Sequence, residues 1–240
     1  MMKLLVLAAL LFVSNAFAIN ITAQSWLETD DQGNMIEGSN ITEVRSIASI
    51  TKLMTVIAVL DNKQDMQEKI GRFTRGQLVQ LALVKSDNAA AEALCEKFPG
   101  GRFKCIRYMN EKANYLGMYR TKFVEPTGLS PMNISTALDL LRLVFEASHY
   151  PEIVKASQTP ILNIQIGNKV LSFRNTNPII GKRYNFIVSK TGTTIAAGGC
   201  IVVMFDSEAG RRIIILLGAK NGKVRIPEVE FLTAYNSIRR

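Results

Sequence analysis

The chain has 240 residues, 29 Lys and Arg against 20 Asp and Glu for a net charge of +9, and a single histidine. That length suits one domain with a sizeable core. One histidine leaves no His pair for a zinc hydrolase, no basic run alternates with aromatics as a nucleic-acid surface requires, and past the first residues no apolar stretch is long enough to span a bilayer.

The start reads as a targeting segment. Met1-Met2-Lys3 is short and basic, residues 4–13 are unbroken apolar, and Ala16-Phe17-Ala18 is a small-x-small site. This is the secretory pattern, and cleavage is expected after Ala18, leaving residues 19–240. A retained N-terminal anchor is the alternative. The surplus of positive charge favours anionic partners, or is simply a solvated basic surface.

Residues 21–27 have strand character. Asp30-Asp31-Gln32-Gly33-Asn34 is a turn cluster, and Met35-Ile36-Glu37 returns as a second strand. A helix is expected over residues 49–60, with Leu53, Met54, Val56, Ile57, Val59 and Leu60 all round it, hence buried and central. Residues 75–117 read as short helices broken at Pro99-Gly100-Gly101. Residues 136–145 form an amphipathic helix with Ser135 as N-cap. Residues 161–166 and 169–173 flank Gly167-Asn168 as a hairpin. Strands follow over residues 184–190, 200–205 and 212–217, with a turn at Glu208-Ala209-Gly210. Pro227 suits the first turn of a closing helix. Strands, a helical middle, strands and a final helix make an α+β arrangement, whose antiparallel sheet pairs terminal strands with late ones.

Export permits disulfides. Cys95 and Cys105 flank the Pro99-Gly100-Gly101 break, and a bridge and two free thiols both fit the sequence. Cys200 lies in an apolar run and reads as a buried thiol. The histidine, His149, sits in Ser148-His149-Tyr150-Pro151 at a helix end, with no partner for a Ser-His-Asp triad evident nearby. No phosphate loop or dinucleotide fingerprint is present.

Three short motifs remain. Ser49-Ile50-Thr51-Lys52 puts a hydroxyl and an amine one turn apart at the start of the buried helix. Burial disfavours the ammonium form, so Lys52 is a candidate general base for Ser49. A Ser N-cap with a snorkelling lysine is the other reading. Ser86-Asp87-Asn88 stands between two helical segments, where such triplets also serve as helix caps. Lys190-Thr191-Gly192-Thr193 closes a strand. Its glycine lets backbone approach a substrate closely, and the same residues also suit a simple strand-end turn.

In this order the three match the set S-x-x-K, S-D-N and K-T-G of penicillin-binding proteins and class A β-lactamases. The chain resembles the low-molecular-mass penicillin-binding proteins, the D-alanyl-D-alanine carboxypeptidase and endopeptidase group. The residues around Ser49 carry the likeness. So do Phe123-Val124-Glu125-Pro126-Thr127-Gly128-Leu129-Ser130, Asn133, Ser135-Thr136 and Phe173-Arg174-Asn175-Thr176-Asn177, which look like the endopeptidase branch.

The resemblance implies a five-stranded antiparallel sheet flanked by helices, with a helical subdomain over roughly residues 62–150. It implies a serine peptidase acting on D-alanyl peptides of peptidoglycan and inhibited by β-lactams, with no metal or organic cofactor; from the sequence itself no nucleic-acid partner and no stable membrane anchor are expected. An exported, periplasmic location is expected. Ser49 would be the nucleophile and Lys52 its base. Ser86 would relay a proton to the leaving amine, and Asn88 would orient Lys52 or the substrate. Lys190 would add positive potential, Thr191 would bind the substrate carboxylate, and Gly192 after it would let the substrate come close. The N–H groups of Ser49 and Thr193 would form the oxyanion hole. Arg225 falls near the position of a carboxylate-binding arginine, or is a surface arginine. Thr193 stands where the endopeptidase branch often has an aromatic residue, so that branch's substrate preference need not transfer.

Two rivals share these features. A β-lactamase needs a further Glu for deacylation; Glu125-Pro126 has part of that pattern, but Thr127-Gly128-Leu129 follows in place of Leu-Asn. A non-catalytic wall-peptide-binding protein is the other.

Overall fold

The computed structural model describes residues 21–182, 184–208 and 210–238. The predicted leader with its cleavage site after Ala18 lies outside these residues, as do Ala209 of the predicted turn and Arg239-Arg240.

The first strand, β1, is Ser25–Thr29 rather than residues 21–27. Its start is displaced because Thr22 is held elsewhere: its N–H and Oγ1 donate to the Glu228 carboxylate at 2.9 and 2.5 Å. The turn after β1 is built on Asp30, whose Oδ1 accepts from the N–H groups of Gln32 and Asn34. The chain returns as β2, Met35–Ser39. β3, Arg45–Ser46, leads into one 3-10 turn, Ala48–Ile50, and then α1, Thr51–Asp61. The regular helix therefore begins two residues later than expected. Ala48 has φ 47°, a left-handed conformation costly for an L-residue, and a right-handed helix does not pass through it. From Thr51 to Val59 every residue of α1 is buried, as its apolar circumference requires.

β4, Lys69–Ile70, and β5, Phe73–Thr74, form a small hairpin. α2, Arg75–Gln80, opens with a capping box in which Thr74 and Gln77 exchange side-chain and backbone hydrogen bonds. It runs into a π turn, Leu81–Lys85, followed by α3, Asn88–Glu96, and α4, Gly101–Tyr115. Gly100 and Gly101, with φ 83° and 77°, make the break between the last two. Cys95 and Cys105 are joined across it by a disulfide with a Cα–Cα distance of 5.3 Å, which resolves the pairing that the sequence left open. A loop of this size is expected to contribute about 3 kcal/mol by restricting the unfolded chain. Reduction should lower the melting midpoint by roughly 6–12 °C. Calorimetry with and without reductant checks this, and an unchanged midpoint under full reduction contradicts it.

β6, Ile134–Ser135, pairs with β3. α5, Ala137–Ala147, is capped by Thr136, whose Oγ1 accepts from Asp139 N at 3.0 Å. Ser135, the expected cap, instead shares a 2.7 Å hydrogen bond with Thr121 Oγ1. α6, Pro151–Gln158, precedes the hairpin of β7, Ile161–Ile166, and β8, Lys169–Arg174. The last elements are β9, Asn185–Thr194, β10, Gly198–Ser207, β11, Gly210–Ala219, and α7, Arg225–Ile238.

The main sheet has the order β2-β1-β11-β10-β9 and is antiparallel throughout, so the fold is α+β with five strands. Strand alternation sorts its two faces. Val202, Met204, Ile213, Ile215 and Leu217 join the core that contains α1 and α5. Ile201, Val203, Phe205, Ile214 and Leu216 pack with Ile226, Val229 and Leu232 of α7. Each such side chain contributes about 1.5–3 kcal/mol on burial, so the sheet is pinned from both sides. β9 is the edge strand, and it lies against α6 and the 3-10 turn that carries Ser49. Among the described residues no helix is long and apolar enough to cross a membrane.

The far end of α1 is tied by a polar cluster. Asp61 accepts from Tyr150 OH at 2.6 Å, Tyr108 OH at 2.9 Å and Lys112 Nζ at 2.9 Å, while Lys112 also meets Glu146 at 2.7 Å. Burial alone would raise the Asp61 carboxyl, but the hydrogen bonds from Tyr150, Lys112 and Tyr108 outweigh it and hold the pKa below the usual value of 3.8. A carboxyl depressed in the folded state gives stability that is present above its unfolded pKa and is lost as pH falls through its folded pKa. Asp61→Asn is expected to cost about 2 kcal/mol at neutral pH. It should also flatten the loss of stability below pH ~4. Urea melts of both proteins from pH 3 to 7 check this, and parallel curves would contradict it.

Candidate active site

The 3-10 turn sets the first pair. It carries Ser49, Lys52 follows three residues later in the first turn of α1, and Lys52 Nζ lies 2.8 Å from Ser49 Oγ. Ser49 is not a helix cap: α1 has no side-chain cap, and Ser49 Oγ faces the Thr127 carbonyl at 3.4 Å. Nor does Lys52 snorkel. It is 0% exposed, and its amine also reaches Asn88 Oδ1 at 2.7 Å and the Thr127 carbonyl at 2.5 Å. Burial lowers its pKa from 10.5 to about 8, against the attraction of Glu125 and Asp87. An amine so placed is a proton acceptor near neutral pH, and its nearest hydroxyl belongs to Ser49.

The Ser86-Asp87-Asn88 triplet divides its work. Asp87 is the N-cap of α3, its Oδ1 accepting from Ala90 N at 2.9 Å. Ser86 ends the π turn with φ 59°, a left-handed conformation, and Asn88 opens α3. The cap reading is therefore right for Asp87, while its two neighbours turn to the lysines.

β9 supplies the opposite wall. It continues through Thr194, so Lys190, Thr191, Gly192 and Thr193 stand inside the strand and not in a turn at its end. Lys190 Nζ donates to Ser86 Oγ and to the Thr191 carbonyl, both at 2.8 Å. Thr191 Oγ1 donates to Thr176 Oγ1 at 2.6 Å. A Cβ on Gly192 would lie 2.8 Å from Ser49 N and 2.9 Å from Ala48 Cβ. The glycine thus admits the turn of Ser49 itself against the edge strand, where the sequence had suggested a substrate. Burial first, then repulsion from Lys52 and Arg225, pushes the Lys190 pKa well below 10.5.

Arg225 is no surface residue. It is 9% exposed at the start of α7, and its Nη1 donates to the Gly192 carbonyl at 2.7 Å and to Thr193 Oγ1. Its Nε is buried without a hydrogen-bond partner. Burial lowers its pKa as well, but a guanidinium stays charged under any ordinary condition. It is the fixed cation of the site.

Ser49, Ser86, Asn88, Thr191, Gly192, Thr193 and Arg225 line one cleft of about 270 Å³, together with Leu129, Thr176 and Thr194. Lys52 and Lys190 are buried at this cleft through their bonds to Ser49 and Ser86. All nine candidates are thus brought together. A wider groove of about 580 Å³, bordered by Phe103 and Val124, holds none of them and lacks such a cluster of nucleophile and amine. His149 takes no part; its backbone N–H simply continues the end of α5 by bonding the Glu146 carbonyl.

Sequence reasoning missed one segment. The residues at 125–130 were noticed for their likeness alone, yet the Thr127 carbonyl touches both Lys52 and Ser49. The available signal was Gly128: with φ 83°, its missing Cβ would lie 1.9 Å from the Ala48 carbonyl oxygen.

The chain is 39% identical to the D-alanyl-D-alanine endopeptidase of Pseudomonas aeruginosa over 207 residues, 76% of this chain and 67% of the relative. It is 40% identical to the D-alanyl-D-alanine endopeptidase of Escherichia coli over 183 residues, 67% of this chain and 59% of the relative. It therefore spans about three fifths to two thirds of these curated relatives. Penicillin-binding protein D2 of Listeria monocytogenes, solved in its cefotaxime-bound form, superposes with a TM-score of 0.81 at 26% identity, over 90% of this chain and 97% of that one. The D-alanyl-D-alanine carboxypeptidase family model matches residues 61–221. That span starts beyond Ser49 and Lys52, which stand on their own geometry, and it takes in Ser86, Asn88 and the whole of β9. With the five-stranded fold and the assembled cleft, this match makes the chain a member of the D-alanyl-D-alanine carboxypeptidase family.

Proposed function

We propose that the protein is a serine peptidase that cleaves D-alanyl peptide bonds in peptidoglycan through an acyl-enzyme, with crosslinked peptides as its preferred substrate. One observation carries the reading: an amine with no solvent exposure, its pKa lowered to about 8, lies 2.8 Å from the Ser49 hydroxyl.

Ser49 Oγ attacks the carbonyl carbon of the D-alanine while its proton passes to the neutral amine of Lys52. The oxyanion is stabilised by the N–H groups of Ser49 and Thr193, aimed at charge that develops in the transition state. Collapse breaks the C–N bond. The leaving amine takes its proton through Ser86, whose hydroxyl is held by Lys190. Thr191 and Arg225 receive the carboxylate of the leaving side. Asn88 holds Lys52 in place. Water then hydrolyses the Ser49 ester and regenerates the hydroxyl. None of these steps calls for a metal or an organic cofactor.

Endopeptidase action is favoured over carboxypeptidase action because both curated relatives named above are endopeptidases. Since the Listeria protein binds cefotaxime, β-lactams are expected to acylate Ser49. Residues 1–18 serve as a cleaved export signal, residues 19–240 as one catalytic domain, and the enzyme works in the periplasm. The β-lactamase alternative needs a carboxylate free to activate water at the ester. Glu125 is unsuited, because its oxygens accept from Thr127, Gly128, Ser130 and Asn133.

The test is digestion of purified crosslinked muropeptides. Dimers converted to monomers support the proposal. Trimming of pentapeptides to tetrapeptides with dimers intact would make it a carboxypeptidase, and rapid turnover of a chromogenic cephalosporin would make it a β-lactamase.

A further inference from the structure

The segment at 125–130 is organised by one carboxylate. Glu125 Oε2 accepts from Thr127 N at 2.7 Å and Thr127 Oγ1 at 2.6 Å. Its Oε1 accepts from Gly128 N at 2.6 Å, Asn133 Nδ2 at 2.7 Å and Ser130 N at 3.3 Å. The loop so formed is fastened to α1 at two points. Thr55 Oγ1 donates to the Pro126 carbonyl at 2.7 Å, and Asn133 Nδ2 donates to Thr51 Oγ1 at 3.1 Å. Between those points the Thr127 carbonyl meets Lys52 Nζ at 2.5 Å.

The consequence follows from the valence of the amine. Neutral Lys52 has two N–H bonds and one lone pair. Its three partners are the Thr127 carbonyl, Asn88 Oδ1 and the Ser49 hydroxyl. The first two only accept, so they take both N–H bonds. The lone pair is left for the one partner that has a proton to give. Remove the carbonyl and the amine is free to rotate its lone pair away.

We propose that Glu125 is a positioning residue for acyl transfer: its carboxylate fixes the Thr127 carbonyl against Lys52, and so aims the lone pair at the Ser49 hydroxyl. The inference rests on the acyl-enzyme reading above. It gives Glu125 a use unlike the water-activating Glu of class A β-lactamases.

Glu125→Gln is the direct test. Every partner of both carboxylate oxygens donates, so no orientation of a carboxamide suits the site. The rate of acylation by a fluorescent penicillin should fall about 100-fold, the scale of a misplacement near 1 Å. For crosslinked dimers, kcat should fall with KM little changed. The charges acting on Lys52 are Glu125 and Asp87, which favour its protonated form, while Lys190 across the cleft is itself driven toward its neutral form, in part by Lys52. With Glu125 neutral, the acid limb of the acylation pH profile should move to lower pH. Glu125→Asp keeps the charge but is one methylene short, so it should lose about 10-fold in rate with the acid limb in place. A wild-type rate for Glu125→Asp overturns the proposal, even if Glu125→Gln does not fold. So does a Glu125→Gln enzyme whose rate falls with an unmoved acid limb, the mark of a merely structural role. Failure of the wild type to label at all would instead sink the acyl-enzyme reading.

Discussion

Ser49→Ala is expected to abolish covalent labelling by penicillin and to lower muropeptide cleavage by about 10⁶-fold, the scale on which loss of the nucleophile slows a serine peptidase. The fold should survive. The side chain is small, its turn is held by backbone, and its Oγ makes no cap bond to the helix that follows. The strained φ of 47° sits on Ala48, one residue earlier, and is unaffected. Thermal melting and β-lactam labelling of the same preparation separate the two effects. A variant that melts like the wild type but no longer labels establishes the acyl-enzyme and excludes a protein that merely holds wall peptide. A variant that still labels would move the nucleophile elsewhere, and Ser86 is the next hydroxyl in the cleft.

The residues that carry this chemistry were legible in the sequence because three motifs fix residue types at short spacing. Ser49 and Lys52 are three apart, and burial of the lysine follows from the apolar residues around α1. The continuous apolar runs of β10 and β11, short and bounded by turn residues, made the middle of the sheet legible in the same way. What could not be read was anything set by contact between distant segments. The Thr127 carbonyl is 75 residues from Lys52, and it is backbone, so no residue type announces it. Arg225 left two readings open because nothing local tells a buried guanidinium from an exposed one; its place follows from α7 packing across β10 and β11. The helix start was misplaced by two residues because the left-handed conformation of Ala48 is imposed by packing, not by alanine.

Lys52→Arg is expected to lower acylation by about 10³–10⁴-fold, although it keeps a positive charge at the same place. A guanidinium gives up no proton at any pH where the protein is folded, so it has no lone pair to offer. The stronger form of the prediction lies in pH. With a pKa of about 8, only about one Lys52 in ten is neutral at pH 7. The wild-type acylation rate should therefore rise about tenfold for each pH unit below that value and level off above it. Lys52→Met closes the argument from the side of stability. At neutral pH the unfolded chain keeps its lysine charged and hydrated, while the folded protein must bury or neutralise it. An apolar side chain of similar length escapes that cost but leaves the Thr127 carbonyl and Asn88 Oδ1 without their donor, so Lys52→Met should be inactive with a stability close to that of the wild type. Denaturant melts and stopped-flow acylation between pH 6 and 9 check both halves. A rate flat across that range, or a methionine variant that still acylates, would mean that the amine beside Ser49 is there to hold the fold and that some other group takes the proton.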